Sequence, residues 1–294
     1  MDAKRPFMRL KELHIHFQKT LAALYDREEV NNFFFMLCQA FVNVTRVQLA
    51  LRPDLEVTEQ DEQRFREALS SLERETPIQY IIGEAHFYDL LFEVNEHTLI
   101  PRPETEELVD WIKSDLQDIG LQKPKIVDIG TGTGCIAISL AHLFSDALVT
   151  AIDISAGALE TAYRNAEKNK VKVSFIQKDI LAVAPNDADL GKYDVVVSNP
   201  PYVRELEKQE IKNNVLLYEP DTALFVSDDN PLIFYNKISD FAFEHLQPGG
   251  ILYFEINQYL AEETKLLVAS KGFKEVSLRK DIYGNYRMLK AIKK

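Results

Sequence analysis

Cysteine is nearly missing from this sequence of 294 residues: there are two, Cys38 and Cys135, about a hundred residues apart. No C-x-x-C pair exists, which removes support for a zinc site or a redox motif. The two residues are expected to be buried thiols in a reducing compartment. Long apolar runs are also missing. None approaches the roughly 18 residues that a membrane span requires. The opening segment "MDAKRPFMRLKELHIHF" has no apolar stretch and no small-residue cleavage site of the secretory kind. These absences point to a soluble, cytoplasmic chain with no membrane partner. Positive charge is scarce too: 34 Lys and Arg stand against 46 Asp and Glu, a net charge of −12. The first 75 residues are near neutral, with 11 basic and 13 acidic residues, and the remainder carries −10. A nucleic-acid footprint is basic overall or has a dense Lys/Arg stripe. Neither part has one, although a local basic groove stays open. Repeats and low-complexity tracts are missing as well.

What is present is ordinary globular material, 46% hydrophobic and 27% charged, enough for a sizeable core. The length favours one large domain with one small one. Residues 1–75 read as helices. In "MRLKELHIHFQKTLAALY", Leu10, Leu13, Phe17, Leu21 and Leu24 fall on one helical face. "EEVNNFFFMLCQAFV" is a second helix. "TEQDEQRFREALSSLERE" is a third, capped by Thr58, with Phe65, Leu69 and Leu72 on a shared face. His14 and His16 are two apart, point to different faces and make a poor metal pair. No metal site is expected. Residues 76–103 read as a linker holding a short hairpin around the turn-forming "VNEHT", and "PRPETEELVDWI" opens a helix. From about 124 to 294, strands and helices alternate, which predicts a mostly parallel sheet covered on both faces. The last two strands, "FKEVSLRK" and "YRMLKAI", are too close for a helical crossover and must be antiparallel.

The first of these strands runs into "VDIGTGTGC", which places Gly130, Gly132 and Gly134 between strand and helix, with Thr131 and Thr133 between them. Glycine lets the backbone turn sharply and approach a ligand closely, and ligands in such sheets sit at the carboxyl ends of the strands. Asp128, Asp153 and Asp179 fall at successive strand ends. A carboxylate at Asp153 can accept both hydroxyls of a ribose, and Asp179 can meet an adenine edge. A nicotinamide dinucleotide wants G-x-G-x-x-G/A, and Cys135 occupies the third small position. G-x-G-x-G is common instead in enzymes that use S-adenosyl-L-methionine (SAM). SAM has no phosphate, so its turn needs no anion site.

The fourth strand ends in "VVVSNPPYV". A residue before proline is pushed to extended geometry, and Pro200 and Pro201 cannot continue a ladder. Asn199 offers a side-chain carbonyl, and the Pro200 carbonyl is a second acceptor. Two acceptors at fixed separation suit the two hydrogens of a planar –NH₂ group, and Tyr202 supplies a ring face. That arrangement suits methyl transfer to a poor nitrogen nucleophile. Positioning supplies most of the catalysis, and no strong base is needed beforehand. A base amino group and an amide nitrogen fit this clamp equally well.

Two longer runs of motifs decide between them. "DIGTGTG" with "NPPY" resembles the SAM-dependent methyltransferases that modify amino groups. "PIQYIIGEAHFYDLLFEVNEHTLIPRPETEELV", "AIDIS", "YEPDTALF" and "DIYGNYR", in that order, resemble the peptide chain release factor glutamine methyltransferases (the HemK/PrmC family) over about residues 76–294. The resemblance implies an α/β, Rossmann-like, mostly parallel seven-stranded sheet with a C-terminal antiparallel hairpin. It implies a helical bundle at 1–75 for substrate binding, a hairpin linker at 76–103 and a catalytic domain at 104–294. It implies transfer of a methyl group from SAM, leaving S-adenosyl-L-homocysteine, to the side-chain amide of the glutamine in the Gly-Gly-Gln loop of bacterial class-1 release factors. Gly130, Thr131, Gly132, Thr133 and Gly134 would line the cofactor, Asp153 would hold its ribose, and Asp179 with Ile180 its adenine. Asn199, Pro200, Pro201 and Tyr202 would bind the glutamine, with Asn199, Pro200 and Tyr202 the catalytic group and Asn199 also near the cofactor. Arg102, Pro103 and Thr105 would lie near the entrance. Ile180 stands where the family often has an aromatic or Leu, and Asn257 where it usually has Gly, so no role passes to Asn257. A monomer is expected. The alternatives are a DNA or RNA amino-group methyltransferase, a non-enzymatic nucleotide-binding module and a dehydrogenase.

Overall fold

The computed structural model describes residues 8–52, 54–184, 187 and 190–294. The chain divides into two compact units. One holds the residues up to Gly83 together with Asn213–Tyr218, and the other holds Glu84–Lys212 and Glu219–Lys294.

The helical unit contains α1 (Leu10–Leu21), α2 (Arg27–Val42), α3 (Arg46–Leu51), α4 (Glu59–Glu73) and α5 (Ile78–Ile82). Asp26 and Thr58 cap α2 and α4, accepting from Glu29 N at 2.8 Å and Asp61 N at 3.1 Å, which satisfies amide groups that a helix start leaves orphaned. The apolar faces meet in a core where the rings of Phe17, Phe34 and Phe65 lie 5.3–6.3 Å apart, within the range of favourable aromatic contact. Helix α1 ends at Leu21, so Leu24, expected on its buried face, is exposed. His14 stacks on Phe34 and bonds Asn31 at 2.7 Å, while His16 points outward. The short helix α9 (Asn213–Leu216) belongs to this unit. Its Asn213 donates to Glu75 at 3.2 Å, and Tyr218 donates to the Arg74 carbonyl at 2.6 Å.

The second unit begins with a hairpin, β1 (Glu84–Phe87) and β2 (Leu90–Glu93). Its turn is Tyr88-Asp89 rather than "VNEHT". Both turn residues have positive φ, 51° and 59°, as a turn matched to the twist of two strands demands. "VNEHT" makes a separate turn, with Thr98 N donating to the Asn95 carbonyl at 3.0 Å. Helix α6 (Pro103–Asp118) follows, with Pro103 in its first turn.

The main sheet contains β3 (Lys125–Ile129), β4 (Leu148–Asp153), β5 (Ser174–Gln177), β6 (Tyr193–Ser198), β9 (Leu246–Glu255), β10 (Lys274–Lys280) and β11 (Tyr286–Ile292). The order is β10-β11-β9-β6-β3-β4-β5. The five strands from β9 to β5 are parallel, and β11 is antiparallel to both of its neighbours. The expected C-terminal antiparallel hairpin is therefore present. Between β6 and β9 lie two two-residue strands, β7 (Val203–Arg204) and β8 (Phe225–Val226), and helix α10 (Asp221–Leu224).

Successive strand residues point to opposite faces, so each face has its own core. Ile126, Val195, Val197 and Tyr253 pack under α6, α7 (Cys135–Leu143) and α8 (Ala156–Lys168). Val127, Ile129, Val196 and Leu252 pack under α11 (Ile233–His245) and α12 (Ala261–Ser270). Cover on both faces accounts for the near-continuous apolar runs of the central strands. No helix among the described residues is long and apolar enough to cross a membrane.

Candidate active site

The chain places β4 and β5 on one side of β3 and β6 on the other, which leaves a crevice at the carboxyl ends where the order reverses. Register keeps these ends level: Ile129 pairs with Ile152 on β4 and with Ser198 on β6. The buried Ser198 hydroxyl donates to the Ile129 carbonyl at 2.6 Å, so a polar residue ends this apolar strand without an unmet hydrogen bond. Above the strand ends lies a cavity of about 370 Å³, a size suited to a small-molecule site.

The glycine turn forms its floor. Gly130 and Gly132 have φ of 73° and 55°, a region that favours glycine. A Cβ on either would meet no atom within 4 Å and would project into space that a ligand can use. Asp153, at the end of β4, is fixed by backbone donors: Gly132 N to Oδ2 and Ser155 N to Oδ1, each at 2.9 Å. Burial pushes the Asp153 carboxyl above its ordinary range, and the N–H groups of Ser155 and Gly132 oppose that. Behind the turn, the wholly buried Asp128 accepts from Thr131 at 2.6 Å. Burial lifts Asp128 to about 7 against the hydrogen bonds of Thr131 and Ala137. Asn165 ties the turn to the hairpin. Its Nδ2 donates to the Thr133 and Glu93 carbonyls at 3.0 Å, and its Oδ1 accepts from Glu93 N at 2.6 Å.

The structure brings most of the expected site residues together. Gly130, Thr131, Gly132, Thr133, Asp153, Asp179 and Ile180 line the cavity, as do Asn199, Pro200, Pro201, Arg102 and Thr105. Three residues are placed differently. Gly134 does not line it and is a packing glycine: a Cβ there would stand 2.8 Å from Ile138 Cδ1 and 3.2 Å from Ala162 Cβ. Pro103 starts α6 outside the lining. Tyr202 also lies outside it, with its hydroxyl held inside the protein. Asp179 does not end a strand. β5 stops at Gln177, and Asp179 holds the following turn by accepting from Leu181 N at 2.9 Å.

Other contributors were not among the expected site residues, although Glu219 lies within "YEPDTALF". Glu219, its side chain 1% exposed, accepts from Ile100 N at 3.0 Å and pairs with the Arg102 guanidinium. It joins the "IPRP" and "YEPD" segments into one wall. Asn257 donates to the Tyr202 carbonyl and to Glu207, each at 2.9 Å. Glu255, at the end of β9, accepts from Thr105 Oγ1 at 2.6 Å and from the Tyr202 hydroxyl at 3.0 Å. Burial raises the Glu255 carboxyl, opposed by the Thr105 hydrogen bond and the charge of Arg287. Burial likewise raises both free thiols, Cys38 and Cys135, to about 12. No group of three or more His, Cys, Asp or Glu among the described residues could hold a metal ion.

The strand order, the open glycine turn and the pinned carboxylate at the next strand end define a SAM-dependent methyltransferase. Comparison with known proteins narrows the class. The methyltransferase small domain family matches residues 105–224, and the PrmC N-terminal domain family matches residues 12–83. A release factor glutamine methyltransferase of Flavobacterium psychrophilum is 50% identical over 285 residues, 96% of this chain and 99% of that protein. One of Bacteroides thetaiotaomicron is 38% identical over 283 residues, again 96% and 99%. The chain belongs to the release factor glutamine methyltransferase family. The solved T. thermophilus 16S rRNA N2 G1207 methyltransferase, in complex with AdoMet and guanosine, superposes with a TM-score of 0.51. At 18% identity, over 72% of this chain and 50% of that one, it shares the fold alone.

Proposed function

We propose that this chain methylates the side-chain amide nitrogen of the glutamine in the Gly-Gly-Gln loop of bacterial class-1 peptide chain release factors. One observation carries the reading: Asn199 and Pro200 line the same cavity as Gly130, Gly132 and Asp153. An amide acceptor and a nucleoside site thus share one space.

Gly130 to Thr133 and Asp153 would hold the cofactor, with Asp179 and the apolar Ile180 on its base. The open turn and the oriented carboxylate fit SAM. Bound SAM supplies an electrophilic methyl group on a sulfonium sulfur. The amide nitrogen to be methylated has a delocalised lone pair and is a weak nucleophile. Asn199 Oδ1 and the Pro200 carbonyl accept its two N–H bonds, orient the nitrogen and favour the positive charge that develops on it. The methylated nitrogen then releases a proton without a dedicated base. Pro201 adjoins this clamp, Tyr202 stands behind it with its hydroxyl on Glu255, and Arg102 with Thr105 forms the adjoining wall. The helical unit is proposed to bind the release factor, the enzyme to act as a cytoplasmic monomer, and nucleic acid to play no direct part. The net charge of −12 supports that last point, since phosphate contacts dominate nucleic-acid affinity.

Mass spectrometry of release factor incubated with enzyme and SAM tests the proposal. The expected product carries one added methyl on the Gly-Gly-Gln glutamine. Methyl transfer to DNA or RNA, with none to release factor, would replace this reading with that of a base-amino methyltransferase.

A further inference from the structure

The clamp needs Asn199 to present oxygen, not nitrogen, to the incoming –NH₂. The two ends of an asparagine amide have nearly the same shape, so something else must choose between them. The hydrogen-bond chain behind Asn199 makes that choice.

Glu255 is 2% exposed; burial raises its carboxyl, while the Thr105 and Tyr202 hydroxyls and the charge of Arg287 favour the ionised form, which only accepts. Thr105 Oγ1 lies 2.6 Å from Glu255 Oε2, so the single Thr105 hydroxyl hydrogen points at Glu255. Its oxygen then has only lone pairs left to offer Asn199. Asn199 Nδ2 lies 3.4 Å from Thr105 Oγ1 and donates to it, which leaves Oδ1 as the end free to accept from a substrate. The second carboxylate oxygen is used in the same sense. Arg287 Nη1 donates to the Tyr202 hydroxyl at 3.3 Å, and a guanidinium cannot accept. The Tyr202 hydrogen therefore also goes to Glu255, at 3.0 Å. Asp281 holds Arg287 from the far side at 3.3 Å. Every hydrogen in this chain is assigned by groups that have one role only.

We infer that Glu255, acting through Thr105, is a positioning residue that sets the polarity of the Asn199 amide and so makes the clamp selective for an –NH₂ group. The inference rests on the proposed role of Asn199 as a substrate acceptor. Without the carboxylate, the Thr105 hydroxyl can donate toward Asn199. The amide then turns over and meets the substrate –NH₂ with a second donor.

Three variants test it: Thr105→Val, which removes the relay with little change in shape, Thr105→Ser, which restores a hydroxyl, and Glu255→Gln, which puts a donor where only acceptors stood. Turnover on release factor, SAM affinity and melting temperature are measured for each. Thr105→Val and Glu255→Gln should lose kcat by about tenfold or more, the scale of a misplaced polar contact at the reacting group. SAM affinity should stay within about threefold of the parent, because the altered contact is on the substrate side. Thr105→Ser should recover most of what Thr105→Val loses. Near-parental kcat in Thr105→Val would overturn the inference. So would a serine variant as impaired as the valine one, or a loss of SAM affinity and melting temperature in step with kcat. Asn199→Ala, assayed in parallel, separates the two levels. Full activity there would remove the substrate role of Asn199 itself, whereas an inactive Asn199→Ala beside an active Thr105→Val removes only the relay.

Discussion

The two sides of the cavity are built by different means. On the cofactor side, the groups are held over shorter separations: Thr131 donates to Asp128, Ser155 and Gly132 donate to Asp153, and Asn165 donates to the Thr133 carbonyl, over 3, 2, 21 and 32 residues. On the substrate side, Asn199 is backed by Thr105, 94 residues away, and Thr105 by Glu255, 150 residues away. The glycine turn and Asp153 need only the neighbouring strands β3 and β4 and helix α8 in place. A long-range relay exists only when α6, β6 and β9 have all reached their final register. Cofactor binding and substrate alignment should therefore be separable by mutation.

The largest effect expected from that comparison is on turnover. Asn199→Ala should lower kcat by about 10²–10³, the range seen when a group that stabilises developing charge is removed. SAM affinity should stay within a few-fold. Asp153→Ala should do the reverse, weakening SAM binding by about 10–100-fold through loss of a charge-assisted contact to two hydroxyls. Calorimetry with SAM and initial rates on release factor read the two quantities separately. If both variants lost both properties equally, the two sides would have to be treated as one unit.

The same contrast governs what could be read before the fold was known. The strand and helix alternation, the glycine turn, Asp153 and the terminal hairpin are local patterns, and all are found where the sequence places them. The 205–226 stretch was not legible, because helices of four residues and strands of two have no period to detect. Glu255 and Asn165 read as ordinary strand and helix residues, since the partners that give them meaning lie 150 and 72 residues away. Gly134 shows the opposite failure. Its spacing matches the cofactor motif, yet its reason is contact with Ile138 and Ala162. Tyr202 was expected to offer the clamp a ring face, but it lies outside the cavity lining, with its hydroxyl drawn to Glu255 and Arg287.

Within the glycine turn, the difference between lining and packing should appear as stability. Gly134→Ala puts a Cβ 2.8 Å from Ile138 Cδ1 at a φ of 81°. Left-handed strain costs about 1–2 kcal/mol, and overpacking adds about 1–3 kcal/mol. Gly132→Ala has the strain, with φ of 55°, but meets nothing within 4 Å. Gly134→Ala should therefore have the lower melting temperature and Gly132→Ala the greater relative loss of SAM affinity. Equal melting temperatures would mean that Ile138 moves aside freely.

The smallest effect concerns Asp128, which supports the turn from behind. Burial raises its carboxyl from the ordinary 3.8 to about 7 in the folded protein. Between those values the folded state binds a proton that the unfolded state has released, so this residue's contribution to stability declines as pH rises through that window. The decline is complete above about 7. Asp128→Asn cannot titrate, yet it keeps a side-chain oxygen to accept from Thr131. Whatever its melting temperature at pH 4, the difference between variant and parent should shift in favour of Asn as pH rises to 8. The change should be on the order of 1–2 kcal/mol, less than the full shift implies because the protein relaxes around a newly charged buried group. A difference that stays constant across that range would mean that Asp128 is ionised throughout, and that its hydrogen bonds outweigh its burial.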